Sequence, residues 1–454
     1  MNIYNPSTNT VIATVKEDTD QTLQKKLQTL RQGVASWRTS SLSDRIDKIK
    51  TFGHLVRNDI ENLAALLTSE TGKPIQQARN EIRGAQNRID HIIQNASPWL
   101  SPEHIYHNDT ISESIRYEPL GVIANISAWN FPYNVGYNVF LYALAAGNGV
   151  LYKPSEYATL TGQAISHKLY QAGIPEEVFQ VGIGGASVGQ KLLEMNFDGY
   201  FFTGSHHTGQ KIATTLAPKM VPVQMELGGK DPLYVMDDVA DIKQAAINAA
   251  EGSFYNAGQS CCAIERIYVS ESIYDEFIHY FIEEVSSYPM GDPTKESTFI
   301  GPLTRAEQLD TIEDQITDAV DQGATIMIGG RRVSSQGYFH QPTVLSNVNH
   351  TMKVMKQETF GPLVGIQKVR SDEEAVDLMS DTPYGLTAAV FGSDEQRALA
   401  VLNKVNTGTV YWNCCDRVSP NVPWSGRKNS GIGSTLGYQG IRAFVQPKAY
   451  HLKH

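Results

Sequence analysis

The sequence predicts an α/β protein of two domains, each a parallel sheet covered by helices, with small extra elements. Three observations lead there. From residue 122 onward, short apolar runs alternate with amphipathic stretches, and a second such series follows residue 262. A length of 454 residues is enough for two or three domains with large cores. The turns that end several apolar runs carry glycine, as a passage from strand to helix requires.

Taken in order, residues 19–95 read as helical. Leu23, Leu27, Leu30 and Val34 form one stripe, and Ile46, Ile49, Phe52, Leu55 and Val56 a second. A third begins after Gly72, with Pro74 near its first turn, and runs through Ile75, Ala78, Ile82, Ala85, Ile89 and Ile92. These stripes are read as packing faces. A strand and turn follow near Ser114–Gly121, and the strand–helix alternation begins. Its runs are Val122–Ile126, Gly149–Tyr152, Val178–Val181 and Gly199–Phe202, with helices near Leu160–Ala172 and Val188–Met195. Such an alternation implies a parallel sheet that binds ligands at its strand C-terminal ends. The second series has helices near 272–288 and 304–322 and runs at 324–328, 363–369, 388–391 and 408–412. A glycine-rich segment, 423–440, and a strand-like tail, 441–452, close the chain.

Composition removes several function classes. A net charge of −10 argues against a nucleic-acid surface. No apolar run is long enough to span a bilayer, and Met1-Asn2-Ile3-Tyr4-Asn5-Pro6 lacks a basic-then-apolar leader pattern. A cytoplasmic protein without membrane contact is therefore expected. The four cysteines form two vicinal pairs, Cys261-Cys262 and Cys414-Cys415, without metal spacing, and His206-His207 has no nearby ligand partner; no metal site is expected.

Six turns are candidates for chemistry. Phe254–Cys262 places a thiol after a glycine-containing bend, where backbone N–H groups can stabilise a thiolate; the alternative is a pair of packed thiols. Gly204-Ser205-His206-His207-Thr208-Gly209-Gln210-Lys211 follows an apolar run and offers N–H groups to a phosphate, but Gln210 stands where a Walker loop needs lysine. Lys153-Pro154-Ser155-Glu156 puts a carboxylate at a strand end, where a ribose diol is held in dinucleotide folds. Glu226-Leu227-Gly228-Gly229-Lys230 offers a general base or a surface carboxylate. Glu358-Thr359-Phe360-Gly361-Pro362 is open in the same way, and Trp129-Asn130-Phe131-Pro132 is an aromatic turn.

Taken in chain order, from Trp129 to Glu358 and on to Ser430-Gly431-Ile432-Gly433, these segments resemble the aldehyde dehydrogenase superfamily of the hydrolytic, NAD(P)-dependent type, over nearly the whole chain. The resemblance implies two Rossmann-like parallel-sheet domains plus a small β oligomerisation element. Residues 1–100 and 120–229 would bind NAD, 230–436 would form the catalytic domain, and 101–119 with 437–454 the oligomerisation element. It also implies a homodimer or homotetramer, consistent with the liability of unpaired strand edges. Cys261 would be the nucleophile, Glu226 the base that activates water, and Asn130 an oxyanion donor beside the Cys261 N–H. Cofactor contacts would come from Ile126, Trp129, Lys153, Ser155, Glu156, Gly204, Ser205, Leu227, Gln308, Glu358 and Phe360. A carboxylate at 156 would accept from the 2′-hydroxyl and repel a 2′-phosphate, so NAD is expected over NADP. The substrate tunnel would be lined by Phe131, Asn134, Val135, Asn138, Tyr255, Arg417, Val418 and Trp424.

The chain departs from the family pattern at several places. A lysine and a glutamate that many relatives carry near the general base are Val139 and Thr435 here. Losing both is coherent, because either charge left alone and buried is costly; protons are then expected to leave Glu226 through water or another path. The usual Pro-Phe-Gly-Gly reads Pro423-Trp424-Ser425-Gly426. Asn134 and Asn138 are polar where relatives for alkyl and aryl aldehydes are often apolar, which suggests a polar substrate unless they serve only their helix. Arg417 is a candidate anchor for a carboxylate, as in succinate semialdehyde. Competing readings are a cofactor-independent thiol esterase and a non-catalytic relative; the intact Cys261, Glu226 and Asn130 set speaks against the second.

Overall fold

The computed structural model describes residues 1–333 and 336–454. The chain opens with a hairpin, β1 (Asn2–Asn5) and β2 (Thr10–Thr14), and four helices, α1 (Asp20–Trp37), α2 (Leu42–Arg57), α3 (Ile60–Thr71) and α4 (Ile75–Leu100). Thr19 and Thr22 form a reciprocal capping box on α1. The three stripes read from the sequence lie on α1, α2 and α4. Between the last two, α3 buries Leu63, Ala64 and Leu67 and ends at Gly72, whose φ of 79° suits glycine.

A hairpin of β3 (Glu103–His107) and β4 (Ile111–Pro119) leads into the first α/β series: β5 (Val122–Ile126), α5 (Pro132–Ala145), β6 (Gly149–Lys153), α6 (Thr159–Gln171), β7 (Phe179–Val181), α7 (Ala186–Glu194), β8 (Gly199–Thr203), α8 (His206–Leu216) and β9 (Val223–Glu226). The second series is β10 (Asp231–Val235), α9 (Ile242–Phe254), β11 (Ile264–Ser270), α10 (Tyr274–Ser287), α11 (Glu307–Asp321), β12 (Thr325–Ile328), β13 (Thr343–Ser346), α12 (Lys353–Lys356), β14 (Leu363–Val369), α13 (Asp372–Ser380), β15 (Thr387–Phe391), α14 (Glu395–Leu402) and β16 (Thr409–Trp412). The chain then returns to the first sheet with β17 (Gly431–Ile432), followed by α15 (Gly437–Arg442) and β18 (Val445–Lys453). The expected tail strand thus starts four residues late, because Ile441 belongs to α15.

The first sheet has the order β17-β9-β8-β5-β6-β7, parallel except for β17. Its strand order reverses between β5 and β8, which opens a crevice at their C-terminal ends. The second sheet has the order β12-β13-β14-β11-β10-β15-β16, parallel except for β12. Its centre is continuously apolar, with Leu233, Ile267, Val364 and Val390 at 0% exposure. Burying each such side chain contributes about 1.5–3 kcal/mol. A third, antiparallel sheet, β18-β4-β3, joins the hairpin to the tail over nine residue pairs. Among the described residues no helix is long and apolar enough to cross a membrane.

Candidate active site

A cavity of about 1040 Å³ lies at the C-terminal ends of β5, β6, β8 and β9 and is closed by residues preceding β11 and β14. Every residue that the sequence offered as a site residue lines it. Ile126 stands at the end of β5 with Trp129 beyond it, Lys153, Ser155 and Glu156 at the end of β6, and Gly204 and Ser205 at the end of β8. Leu227 follows β9, Gln308 comes from α11, and Glu358 and Phe360 precede β14.

This half of the cavity has the donor set of a dinucleotide cradle. Ser205 caps α8, its hydroxyl accepting from the Thr208 N–H at 3.4 Å, so the positive end of an eleven-residue helix faces the crevice. The Lys153 ammonium is buried, yet among the described residues it donates only to the Pro154 carbonyl at 3.2 Å and lies 3.8 Å from Glu156. Its spare protons suit ribose hydroxyls. Trp129 meets Phe360 edge-on at 5.5 Å and Tyr157 at 6.3 Å, an aromatic wall beside the Glu358 carboxyl. Burial, with the charge of Glu265 added, pushes Glu358 up to about 8.

At the inner end, α9 stops and three successive residues, Asn256, Ala257 and Gly258, take φ of 54°, 52° and 70°. A left-handed alanine costs about 1–2 kcal/mol, so packing holds the turn. Asn256 N–H donates to Gln77, the Gln259 side chain bonds Asn256 O and Thr304 N–H, and a Cβ on Gly258 would fall 2.2 Å from Gly361 O. The turn delivers Cys261 half-buried to the cavity and Cys262 into the core. Among the described residues, the Cys261 N–H meets no acceptor. Asn130 spends one amide proton on Gln259 O at 3.2 Å and has another to give. A hydrogen bond with Cys262, then burial, then the nearby Glu226 carboxylate hold the Cys261 thiol well above the usual thiol range. Glu226, at the end of β9, is itself pushed up to about 7 by burial, partly offset by a hydrogen bond from Thr435 and the charge of Arg88.

The tunnel residues Phe131, Asn134, Val135, Asn138, Tyr255, Val418 and Trp424 line the same cavity. Asn138 does more than serve its helix: its carbonyl oxygen accepts from Arg88 Nε at 2.8 Å. Arg417 is 65% exposed and lies 3.4 Å from Asp416, so its charge is already met.

Sequence reasoning missed the contribution of α4. Beside its apolar stripe, Asn80, Glu81, Gly84, Asn87 and Arg88 line the tunnel. It also missed Lys73, whose buried ammonium bonds Glu81 and donates to Asn130 O at 2.7 Å, while Glu81 accepts from Tyr133 N–H at 2.9 Å. That pair fixes the segment carrying the Asn130 amide. The one available signal was Gly84, a lone glycine inside a helical pattern.

A model of the aldehyde dehydrogenase family matches residues 1–450. The chain belongs to that family. An aldehyde dehydrogenase from Aspergillus niger is 36% identical over 456 residues, covering 99% of this chain and 91% of that protein. A structure described as an Escherichia coli NADP-dependent enzyme superposes with a TM-score of 0.97 at 29% identity, over 100% of this chain and 94% of that one. A point mutant of betaine aldehyde dehydrogenase from Staphylococcus aureus, solved with NAD+, gives 0.95 at 31% identity, over 100% and 94%. This aldehyde dehydrogenase is an oxidoreductase acting on aldehydes, and its structural neighbours bind NAD+ or NADP. In it the Thr435 hydroxyl bonds the Glu226 carboxyl directly.

Proposed function

We propose that the protein oxidises an aldehyde to its carboxylic acid with NAD+, through a covalent adduct on Cys261. The observation that carries this reading is the convergence of Cys261, Glu226 and Asn130 at the inner end of a cavity whose outer half is a dinucleotide cradle. A thiol held high needs a base, and a carboxyl raised to about 7 is poised to take its proton at neutral pH. The sulfur adds to the carbonyl carbon, and the oxygen gathers negative charge between the Cys261 N–H and the second Asn130 amide proton. One such donor is typically worth about 3 kcal/mol. A nicotinamide dinucleotide bound in the cradle supplies the hydride acceptor. Once it has passed the thiol proton on, Glu226 deprotonates water for attack on the thioester, releasing the acid and freeing the thiolate. The Thr435 hydroxyl keeps the base aimed and provides the proton path that the missing lysine and glutamate would have served. Overall, aldehyde, water and NAD+ give acid, NADH and a proton.

Aldehyde-dependent NADH absorbance tests the reading. Cys261→Ala is expected to abolish it, and turnover without any nicotinamide would replace it with a thiol esterase. Glu156 supports NAD over NADP. The sheet β18-β4-β3 supports a homodimer or homotetramer, since Ile105, Tyr106 and Leu452 on its outer strands are exposed. A monomer at micromolar concentration in light scattering would overturn that assembly.

A further inference from the structure

Arg88 stands out among the charged groups that the mechanism leaves unused. It lies on α4, 6% exposed, in the wall of the substrate tunnel. Of its five N–H donors, Nε reaches Asn138 at 2.8 Å and Nη1 reaches the Gly84 carbonyl at 3.4 Å. Both acceptors are neutral, and among the described residues no carboxylate pairs with it. The nearby acids are committed elsewhere, Glu81 to Lys73 and the Tyr133 N–H, Glu226 to Thr435. Burial lowers the guanidinium to about 10, which leaves it charged at neutral pH. A buried charge without a counter-charge is costly, and evolution usually pairs it or removes it.

The surroundings have room and polarity for a counter-ion. A Cβ built on Gly84, one turn from Arg88, would meet nothing within 4 Å, so the helix leaves space there. Asn134 Oδ1 is buried without a hydrogen-bond partner on the facing helix α5. Arg417, in the same cavity, is solvated and matched by Asp416.

We propose that Arg88, held by Asn138, receives the carboxylate of an aldehyde whose carbonyl lies at Cys261, making ω-carboxy aldehydes the preferred substrate class. The proposal rests on the aldehyde-oxidising reading above. The guanidinium presents Nη2 and the second proton of Nη1 to the two carboxylate oxygens, a bidentate geometry that lysine cannot copy. Arg88 sets specificity here; it touches no reacting atom.

The test compares four- and five-carbon ω-carboxy aldehydes with the methyl esters of the same acids, using NAD+ and the intact protein. The wild type is expected to favour acid over ester by about 30-fold or more in kcat/KM, mainly through KM. Arg88→Met should bring that ratio close to unity, and Arg88→Lys should restore part of it. Equal efficiency of the wild type with acid and ester overturns the proposal without any variant. So does an Arg88→Met enzyme that slows on both substrates alike while its acid pH limb moves, because the arginine then acts through Glu226. Failure of the wild type to oxidise any aldehyde of the set, and of a neutral alkyl series, would sink the oxidation reading itself, whereas oxidation of neutral aldehydes alone sinks only the carboxylate site.

Discussion

Replacing Thr435 with valine keeps the side-chain shape and removes a hydroxyl that bonds the Glu226 carboxylate. Both residues are buried, at 1% and 8% exposure, so the bond is not diluted by bulk water. A hydrogen bond to a charged group contributes about 1.5–3 kcal/mol, and one pH unit corresponds to about 1.4 kcal/mol. Taking the lower end, because the adjoining cavity can lend a water, the ionisation of Glu226 should move from about 7 upward by about one pH unit. The sign follows from what Thr435 does: it stabilises the charged form, so its loss favours the proton. At pH 7 the ionised share then falls from about half to about a tenth, and thioester hydrolysis slows about fivefold. The assay is kcat against pH, with a burst of NADH at low pH as the mark of slow deacylation. Thr435→Ser should behave as wild type. An acid limb for Thr435→Val that overlies the wild-type limb, in a protein of unchanged melting temperature, would refute the reasoning.

The same carboxyl makes stability pH-dependent. Its folded value of about 7 lies above the ordinary carboxyl value of 4.5, so the cost of ionising it is absent at low pH, grows between those values and is complete above them. Glu226→Gln should therefore be inactive yet gain up to about 3 kcal/mol relative to wild type between pH 4 and pH 8, read by urea unfolding. Lys73→Met or Glu81→Leu alone should each cost about 3–5 kcal/mol, while the double variant costs less, a comparison read by melting temperatures. Gly258→Ala should lose most activity and lower the melting temperature, since its φ is 70° and the added carbon meets Gly361 O. Glu156→Ala should raise the NADP+ to NAD+ ratio of kcat/KM about tenfold by removing a charge that repels the 2′-phosphate.

The turns that line the cavity were legible because glycine and polar residues interrupt apolar runs where strands end, as at Gly204-Ser205 and Glu226-Leu227-Gly228. The face of α4 was not, because periodicity cannot distinguish side chains turned to bulk water from those turned to an internal tunnel. Asn80, Asn87 and Arg88 are the polar complement of an apolar stripe in either case. β10 escaped the run count because Pro232 argues against a central strand; the register shifts between Asp231 and Pro232, which lets the ring enter the sheet at its start. α3 was passed over because only Asn58-Asp59 separate it from α2. Its stripe of Leu63, Ala64 and Leu67 reads as a continuation. The junction of 420–440 with Glu226 was legible only through the family resemblance, which set Thr435 near the base and Trp424 in the tunnel. Contacts between residues some two hundred positions apart leave no local pattern.

That junction has a consequence for how the enzyme comes into being. From the last seventh of the polypeptide come the two residues of β17, which pair with Met225 and Glu226, the Thr435 hydroxyl, which bonds Glu226, and Trp424, which lines the cavity. Without that stretch the Glu226 carboxyl would lack both its Thr435 hydrogen bond and the strand that pairs beside it. On the proposed mechanism, release of the acid then depends on the last part of the polypeptide being in place.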